Sequence, residues 1–110
     1  EMAARIYANA SCVEVYGRQA NEAHRWLAEG LLYCRERDLD FWWAYMRGWL
    51  AELLIREGRW TEAKEIAREV ADLPLTARVL RFPATAALAR LCIREGAPGF
   101  DALLSDLTFE

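Results

Sequence analysis

The side chains in this sequence that could carry out catalysis are few and lie far apart. His24 could act as a general base, but no nucleophile and no carboxylate lies at a spacing that suggests a catalytic group with it. Ser11 and Ser105 lack the sharp, glycine-flanked turn that exposes a nucleophilic serine. The chain also has no glycine-rich loop to hold a phosphate. The sequence therefore predicts no catalytic residue and no enzymatic activity.

Cys12, Cys34 and Cys92 are the other reactive side chains, and they are widely separated. They form no Cys-x-x-Cys motif, and each lies in a stretch with apolar periodicity. A structural zinc site needs about four clustered cysteine or histidine ligands, which this chain does not offer. Free buried thiols are typical of the reducing interior of a cell. We therefore expect no metal, no cofactor and a cytoplasmic location.

The composition predicts a single helical domain. The chain has 110 residues, 55% of them hydrophobic, with six Gly, three Pro and a formal net charge of −3. This length suits one domain, and few Gly and Pro among many Ala, Leu, Glu and Arg favour helix. The mildly acidic balance argues against a general affinity for nucleic acid. No apolar stretch approaches the roughly 20 residues of a membrane span, so we expect no membrane contact.

The segment 65–80 has the superficial outline of a DNA-reading helix-turn-helix. Its first helix is acidic, and a phosphate surface would repel it. The acidic residues are Glu62, Glu65, Glu69 and Asp72. We therefore expect no direct contact between this chain and nucleic acid.

The chain contains an internal repeat. The tetrapeptide Ile-Arg-Glu-Gly at 55–58 returns at 93–96. Ala23, Ala63 and Ala102 each lie at the third position after a similar turn, and they recur at nearly the same interval. A period near 40 that holds a helix, a glycine turn and a second helix indicates a helical-repeat array.

The same pattern predicts where the helices begin and end. Gly58 and Gly96 stand where a helix must stop, because glycine accepts the left-handed backbone of a C-terminal cap. Pro74 closes the fourth helix, while Pro83 must either kink the fifth helix or mark its start. The predicted helices cover about 3–16, 19–36, 39–57, 60–72, 76–95 and 99–107.

The third predicted helix is apolar over most of its circumference, so other helices must cover it on more than one side. One apolar stripe holds Trp42, Met46, Trp49 and Leu53, and its neighbour holds Trp43, Leu50 and Leu54. This helix is therefore expected in the middle of the stack. Gly30 and Gly48 lie inside helices, where a close helix crossing or the floor of a groove would account for them.

Two parts of the chain resemble known repeats. The run Gly-Arg-Trp-Thr-Glu-Ala at 58–63, with Leu54 before it and Pro74 after it, resembles a tetratricopeptide repeat (TPR). Segments 23–31 and 33–40 look like the repeat region of LuxR-type bacterial transcriptional regulators. In those regulators the repeats lie between an N-terminal ATPase module and a C-terminal helix-turn-helix. The resemblance therefore implies that this chain is an excerpt of a longer protein.

The repeat and the resemblance together predict an all-α fold of three antiparallel helix pairs, stacked as a short TPR-like right-handed superhelix. We expect a single domain over 1–110, with repeats at about 1–37, 38–75 and 76–110. The implied function is a non-catalytic protein-interaction or signal-receiving module of a bacterial transcriptional regulator. Its partner would be a protein or peptide, including flanking domains of the same chain. The alternatives are a domain that binds a small hydrophobic effector, and a free-standing adaptor or homodimerisation unit.

The candidate partner or ligand surface lies in the first half of the third helix. It consists of Phe41, Trp43, Tyr45 and Arg47. Aromatic side chains beside an arginine are typical anchors of a binding groove. The alternative is that these aromatics fill the space between helices or face a neighbouring repeat or a second copy. Trp42 and Trp49, seven residues apart on one face, are expected in the core.

Overall fold

The computed structural model describes residues 2–16, 20–73, 78–96, 98–99 and 102. In these residues the secondary structure is helical, without a strand, which confirms the predicted all-α class. The helices are α1 (Met2–Tyr16), α2 (Ala20–Glu36), α3 (Asp40–Arg56), α4 (Trp60–Ala71) and α5 (Arg78–Glu95). They match the first five predicted helices to within two residues at each end. The sixth, predicted at 99–107, falls almost wholly outside the described residues, as does Pro74.

Two helix ends follow the period of the sequence repeat. Helix α3 ends at Arg56 and α5 ends at Glu95, so each stops just before the glycine of its Ile-Arg-Glu-Gly copy. The described helices therefore keep the register of the repeat at both copies.

The turns that end the helices have the backbone that the glycines predict. Gly58 and Gly96 have φ angles of +80° and +65°, so both are left-handed, as expected for helix caps. Asp38 occupies the equivalent place between α2 and α3, with a φ of +54°. Aspartate tolerates this conformation better than most residues with a Cβ atom. The left-handed backbone still costs it conformational free energy that glycine does not lose.

The α2–α3 and α3–α4 turns also share one hydrogen-bond pattern. The N–H of Leu39 donates to the carbonyl of Cys34 at 2.8 Å, and the N–H of Arg59 donates to the carbonyl of Leu54 at 2.9 Å. These bonds satisfy carbonyls that the end of a helix would leave free. The two turns therefore have the same construction, once on each side of α3.

Helix α3 lies at the centre of the fold, as its apolar circumference predicts. It contacts each of the other four described helices, whereas α2 and α4 make no contact with each other in the described part of the chain. Its buried residues are Ala44, Met46, Gly48, Trp49, Ala51, Glu52, Leu53, Leu54 and Ile55. The right-handed superhelical stacking of the pairs stays a prediction.

The buried core divides into two clusters on either side of α3. The N-terminal cluster comes from α1, α2 and α3 and holds Ala4, Ala8, Ala23, Leu27, Cys34, Met46, Trp49 and Leu53. The C-terminal cluster comes from α3, α4 and α5 and includes Leu54, Ile55, Ala67, Val70, Leu88 and Leu91. Trp43 and Leu50, both partly buried, pack against both clusters. These two side chains therefore lie where the halves of the core meet.

Gly30 and Gly48, the two glycines inside helices, lie at close helix crossings. This is one of the two explanations that the sequence offered for them. A Cβ atom on Gly30 would lie 2.0 Å from Met46 Cε and 2.9 Å from Tyr7 Cβ. A Cβ atom on Gly48 would lie 2.9 Å from Pro83 Cβ. The alternative that Pro83 starts the fifth helix is wrong, because α5 begins at Arg78 and continues through the proline.

Candidate functional site

A cleft of about 400 Å³ lies over α3, between α2 and α4. It exists because α2 and α4 both pack on α3 but, among the described residues, do not contact each other. The lining residues are Leu31, Leu32 and Arg35 of α2, Trp43 and Arg47 of α3, and Glu69 of α4. We call this space the Trp43 cleft. It draws its walls from three successive helices.

Helix α3 presents a stripe of three different chemical types to this region. Asp40, Trp43 and Arg47 stand at positions i, i+3 and i+7, which lie on one face of a helix. An acid, an aromatic ring and a base therefore follow one another along the helix axis. Trp43 is partly buried because it also packs against both core clusters, so the ring is held firmly in place.

Two arginines flank the Trp43 ring. The guanidinium carbon of Arg47 lies 5.2 Å from the ring centroid, and that of Arg35 lies 5.7 Å from it. Both distances are within the range of a cation–π contact. Both side chains also line the same cleft, so a single occupant can meet both positive charges. Arg35 is exposed. Among the described residues, no carboxylate forms an ion pair with it.

The guanidinium of Arg47 is only partly satisfied. Its Nη2 lies 3.4 Å from Oε2 of Glu69, a long and weak contact. Its Nε is buried and, within the part of the chain that the structure describes, has no hydrogen-bond partner. Buried polar atoms in proteins nearly always have a partner, so this one calls for an explanation.

A second pocket of about 220 Å³ continues the cleft toward the α2–α3 turn. It shares Arg35 and Trp43 with the first and adds Cys34, Asp38 and Asp40. Both aspartates are exposed, and among the described residues neither forms an ion pair with a cation. We call the two spaces together the α3 groove. Its turn end holds both aspartates, its other end holds Arg47 and Glu69, and Arg35 lines both.

The structure keeps two residues of the predicted four-residue surface together and separates the other two. Trp43 and Arg47 lie together in the α3 groove. Phe41, 56% exposed, lines a separate pocket of about 270 Å³ beside Leu39. Tyr45 is partly buried in a chain of edge-on aromatic rings, with its ring centroid 6.3 Å from that of Trp42 and 6.2 Å from that of Trp49. Trp49 itself is 7% exposed, as its predicted core position requires.

Several residues that line the groove were not among the site residues predicted from the sequence. Arg35, Leu31 and Leu32 come from α2, and Glu69 comes from α4. The spacing of Leu31 and Arg35, four residues apart, shows that they share a helix face. Nothing in the sequence shows that this face borders Trp43 rather than solvent, because that depends on how far α2 and α4 stand apart.

His24 has a partner that its sequence spacing does not reveal. Its Nε2 lies 2.9 Å from Oε1 of Glu57, which is 33 residues away. Arg59 Nη1 lies 3.9 Å from the same oxygen. These groups are about one-third to one-half exposed, and they tie α2 to the α3–α4 turn. The fold thus brings a carboxylate to His24 that sequence spacing did not suggest, although the pair lies outside the α3 groove.

The reactive side chains do not gather elsewhere in the described residues. No group of three or more His, Cys, Asp or Glu residues there could hold a metal ion. Cys34 and Cys92 are buried, as predicted, while the side chain of Cys12 lies outside the described set. None of the helices that the structure describes is long and apolar enough to cross a membrane. The α3 groove thus remains the best-formed candidate site.

Comparison with protein families, with curated proteins and with solved structures finds no match for this chain. The functional argument therefore depends on the geometry and charge of the α3 groove.

Proposed function

We propose that this chain is a non-catalytic protein-interaction module that holds a peptide segment of its partner in the α3 groove. The observation that carries the proposal is the position of the Trp43 ring between Arg35 and Arg47, at the floor of an open space between two helices. Tryptophan and arginine are the residues most enriched among the anchors of protein interfaces.

The walls of the groove favour a peptide over a small hydrophobic effector. Leu32 is 59% exposed, and Arg35 and Glu69 are exposed as well. A small apolar ligand is normally buried over most of its surface in a mainly apolar cavity. A groove with solvent-exposed walls and five charged side chains does not provide that enclosure. An extended segment needs contact along one side, which the groove does provide.

We place this module in a LuxR-type bacterial transcriptional regulator, in the cytoplasm. The setting is supported by the sequence resemblance over 23–40 and 58–63 and by the left-handed turns at Gly58 and Gly96, one repeat apart. Cys34 and Cys92 are buried, as is typical of cysteines in a reducing compartment. In this setting the stacked pairs form a short right-handed superhelix. A segment bound in its groove changes how the flanking domains pack.

Selection from a random dodecapeptide library displayed on phage, with the purified chain immobilised, tests the proposal. We expect enriched peptides that bind the wild-type chain and fail to bind Arg35→Glu/Arg47→Glu. The matched control is Arg5→Glu/Arg68→Glu, which changes the net charge equally at exposed positions outside the α3 groove. Binding to the control variant should stay within about twofold of wild type.

Two results would contradict the proposal. Selection that enriches no peptide, or peptides that bind both double variants equally, would show that the groove does not receive a peptide. Turnover of an ester, phosphoester or glycoside by the purified chain, lost on His24→Ala, would show that the chain is an enzyme instead.

A further inference from the structure

The α3 groove carries Arg47 in its first pocket, the basic end, and Asp38 and Asp40 in its second pocket, the acidic end, while Arg35 lines both pockets. Its partner should match these charges. We propose that it selects an extended peptide with one acidic and one basic side chain about three residues apart. The acidic side chain lies over Trp43 against Arg35 and Arg47, and the basic side chain lies against Asp38 and Asp40. This inference rests on the proposed peptide-binding function and specifies the partner's chemistry.

The basic end of the groove fits a carboxylate. Arg35 pairs with no carboxylate among the described residues, and Arg47 holds Glu69 only at 3.4 Å. Guanidinium groups bind carboxylates through short, charge-assisted hydrogen bonds. Because both arginines line the same cleft, a carboxylate placed in it is attracted by two positive charges.

The acidic end fits a cation. Asp38 and Asp40 line the second pocket, are exposed, and form no ion pair with a cation among the described residues. Asp38 is held in place by its left-handed turn backbone, and Asp40 begins α3. A lysine or arginine side chain of the partner, reaching past Trp43 toward the turn, would meet both carboxylates.

The distance between the two ends sets the spacing in the peptide. Asp40 and Arg47 are seven residues apart on α3, which at ~1.5 Å per residue is about 10 Å. A peptide in the polyproline II conformation advances ~3.1 Å per residue and has three residues per turn, so two side chains three residues apart lie on the same side and cover about this distance. The two residues between the charges should be apolar, because the Trp43 ring and the side chains of Leu31 and Leu32 line the middle of the groove.

Synthetic peptides measured by fluorescence anisotropy test this charge rule. The reference probe is a fluorescein-labelled octapeptide, Ser-Gly-Glu-Leu-Val-Lys-Gly-Ser, whose Glu and Lys are three residues apart. Its comparison probes replace Glu with Gln, Lys with Gln, or both, and one further probe places Glu and Lys next to each other. We expect each lost charge, and the wrong spacing, to weaken binding about five- to tenfold.

A charge reversal in the protein provides the decisive comparison. Asp38→Lys/Asp40→Lys should reverse the preference at the turn end, so that a peptide with Glu in place of Lys binds better than the reference. The control Glu62→Lys/Glu65→Lys makes the same change in net charge on the exposed side of α4 and should leave the order of affinities unchanged. Circular dichroism of both variants checks that they remain folded.

The outcomes separate this inference from the proposed function. Reversal by the aspartate variant and not by its control supports the charge rule. Equal binding of all probes, with phage-selected peptides still lost in Arg35→Glu/Arg47→Glu, overturns the charge rule and leaves the peptide-binding function standing. Failure of both the probes and the phage selection overturns both. Concentration-dependent dimerisation that the aspartate variant abolishes would assign the groove to a second copy, which also overturns the inference.

Discussion

Gly48 of α3 packs directly against Pro83 of α5. A Cβ atom added to Gly48 would lie 2.9 Å from the Cβ of Pro83 and 2.8 Å from the backbone nitrogen of Ala84. A glycine inside a helix and a proline inside a helix are each unfavourable alone. Here they meet at one crossing, where the missing side chain lets the two backbones approach.

Replacing Gly48 with alanine should therefore destabilise the protein. Alanine improves helix propensity by ~1 kcal/mol, but its methyl group would press on the backbone of α5, which cannot rotate away. We expect a net loss of about 1–3 kcal/mol in the free energy of unfolding, typical of an overpacked core. Urea unfolding followed by circular dichroism measures it. A gain of about 1 kcal/mol, the propensity effect alone, would refute this packing argument.

Gly30→Ala provides the comparison for Gly48→Ala. The nearest atom to its added methyl group is Met46 Cε at 2.0 Å, the end of a flexible side chain, with Tyr7 Cβ at 2.9 Å. The thioether of Met46 can adopt another rotamer, so most of the crowding can be relieved. We expect a smaller loss than for Gly48→Ala in the same unfolding measurement.

Glu52 and Arg90 join α3 to α5 through an ion pair, and they occupy equivalent repeat positions, 38 residues apart. Glu52 is 4% exposed and also lies 3.4 Å from Arg56 Nε. Arg90→Ala should cost about 1–3 kcal/mol of unfolding free energy, because the buried carboxylate loses a charged donor. Glu52→Ala should lower the unfolding free energy by a smaller amount. The side chains of Arg56 and Arg90 are about 40% exposed, so water can take the place of the lost carboxylate.

A double-mutant cycle isolates the interaction between this pair. With Glu52→Ala, Arg90→Ala and the combined variant, we expect a coupling of about 1–2 kcal/mol. Arg56→Ala combined with Glu52→Ala should show weaker coupling, because the 3.4 Å contact is longer than a good charged hydrogen bond. A coupling near zero for Glu52 and Arg90 would mean that the pair does not hold α5 in place.

The sequence predicts the repeating framework of this fold well and its site poorly. The returning Ile-Arg-Glu-Gly tetrapeptide and the caps Gly58 and Gly96 are local signals, and the helix boundaries and left-handed φ angles follow them. The α3 groove depends instead on the separation of α2 and α4, which no local pattern records. For the same reason the sequence reveals Trp43 and Arg47 as candidates but misses Arg35.

Asp38 shows a second limit of sequence reasoning. It has the same place in its turn as Gly58 has in the turn after α3, yet aspartate does not signal a left-handed cap as glycine does. Glu52 and Arg90 show a third limit. Their shared repeat position is visible once the repeats are aligned, but the burial of Glu52 between two helices is not.

Asp38→Gly should stabilise the protein. The φ of +54° at Asp38 strains a residue with a Cβ atom, and glycine removes that strain. We expect a gain of about 0.5–1 kcal/mol in unfolding free energy, measured by urea unfolding. Gly58→Ala changes the equivalent turn, where φ is +80° and no atom lies within 4 Å of an added methyl group. It should lose about 1 kcal/mol of unfolding free energy.

Asp38→Gly should also weaken binding of the reference octapeptide, because it removes a carboxylate from the α3 groove.

Trp43 should couple the two halves of the core, because its side chain packs against both the N-terminal and the C-terminal cluster. Trp43→Ala should lower the unfolding free energy by about 2–3 kcal/mol, less than for a fully buried tryptophan. It should also make the halves unfold less cooperatively, as expected for helical units that contact only their neighbours. Circular dichroism and fluorescence of the remaining tryptophans should then give separate urea transitions, whereas they coincide in the wild-type chain.

Ile66→Ala distinguishes this coupling from a general loss of stability. Ile66 is partly buried and packs against the C-terminal cluster, so its truncation should lower stability by about 1–2 kcal/mol while the two transitions still coincide. Coincident transitions in Trp43→Ala as well would show that the clusters are joined by other contacts, such as those of Leu50. Separate transitions in Trp43→Ala and not in Ile66→Ala would show that the ring on the floor of the α3 groove is also the link between the two halves of the fold. A peptide that packs on this ring would then stabilise both halves together.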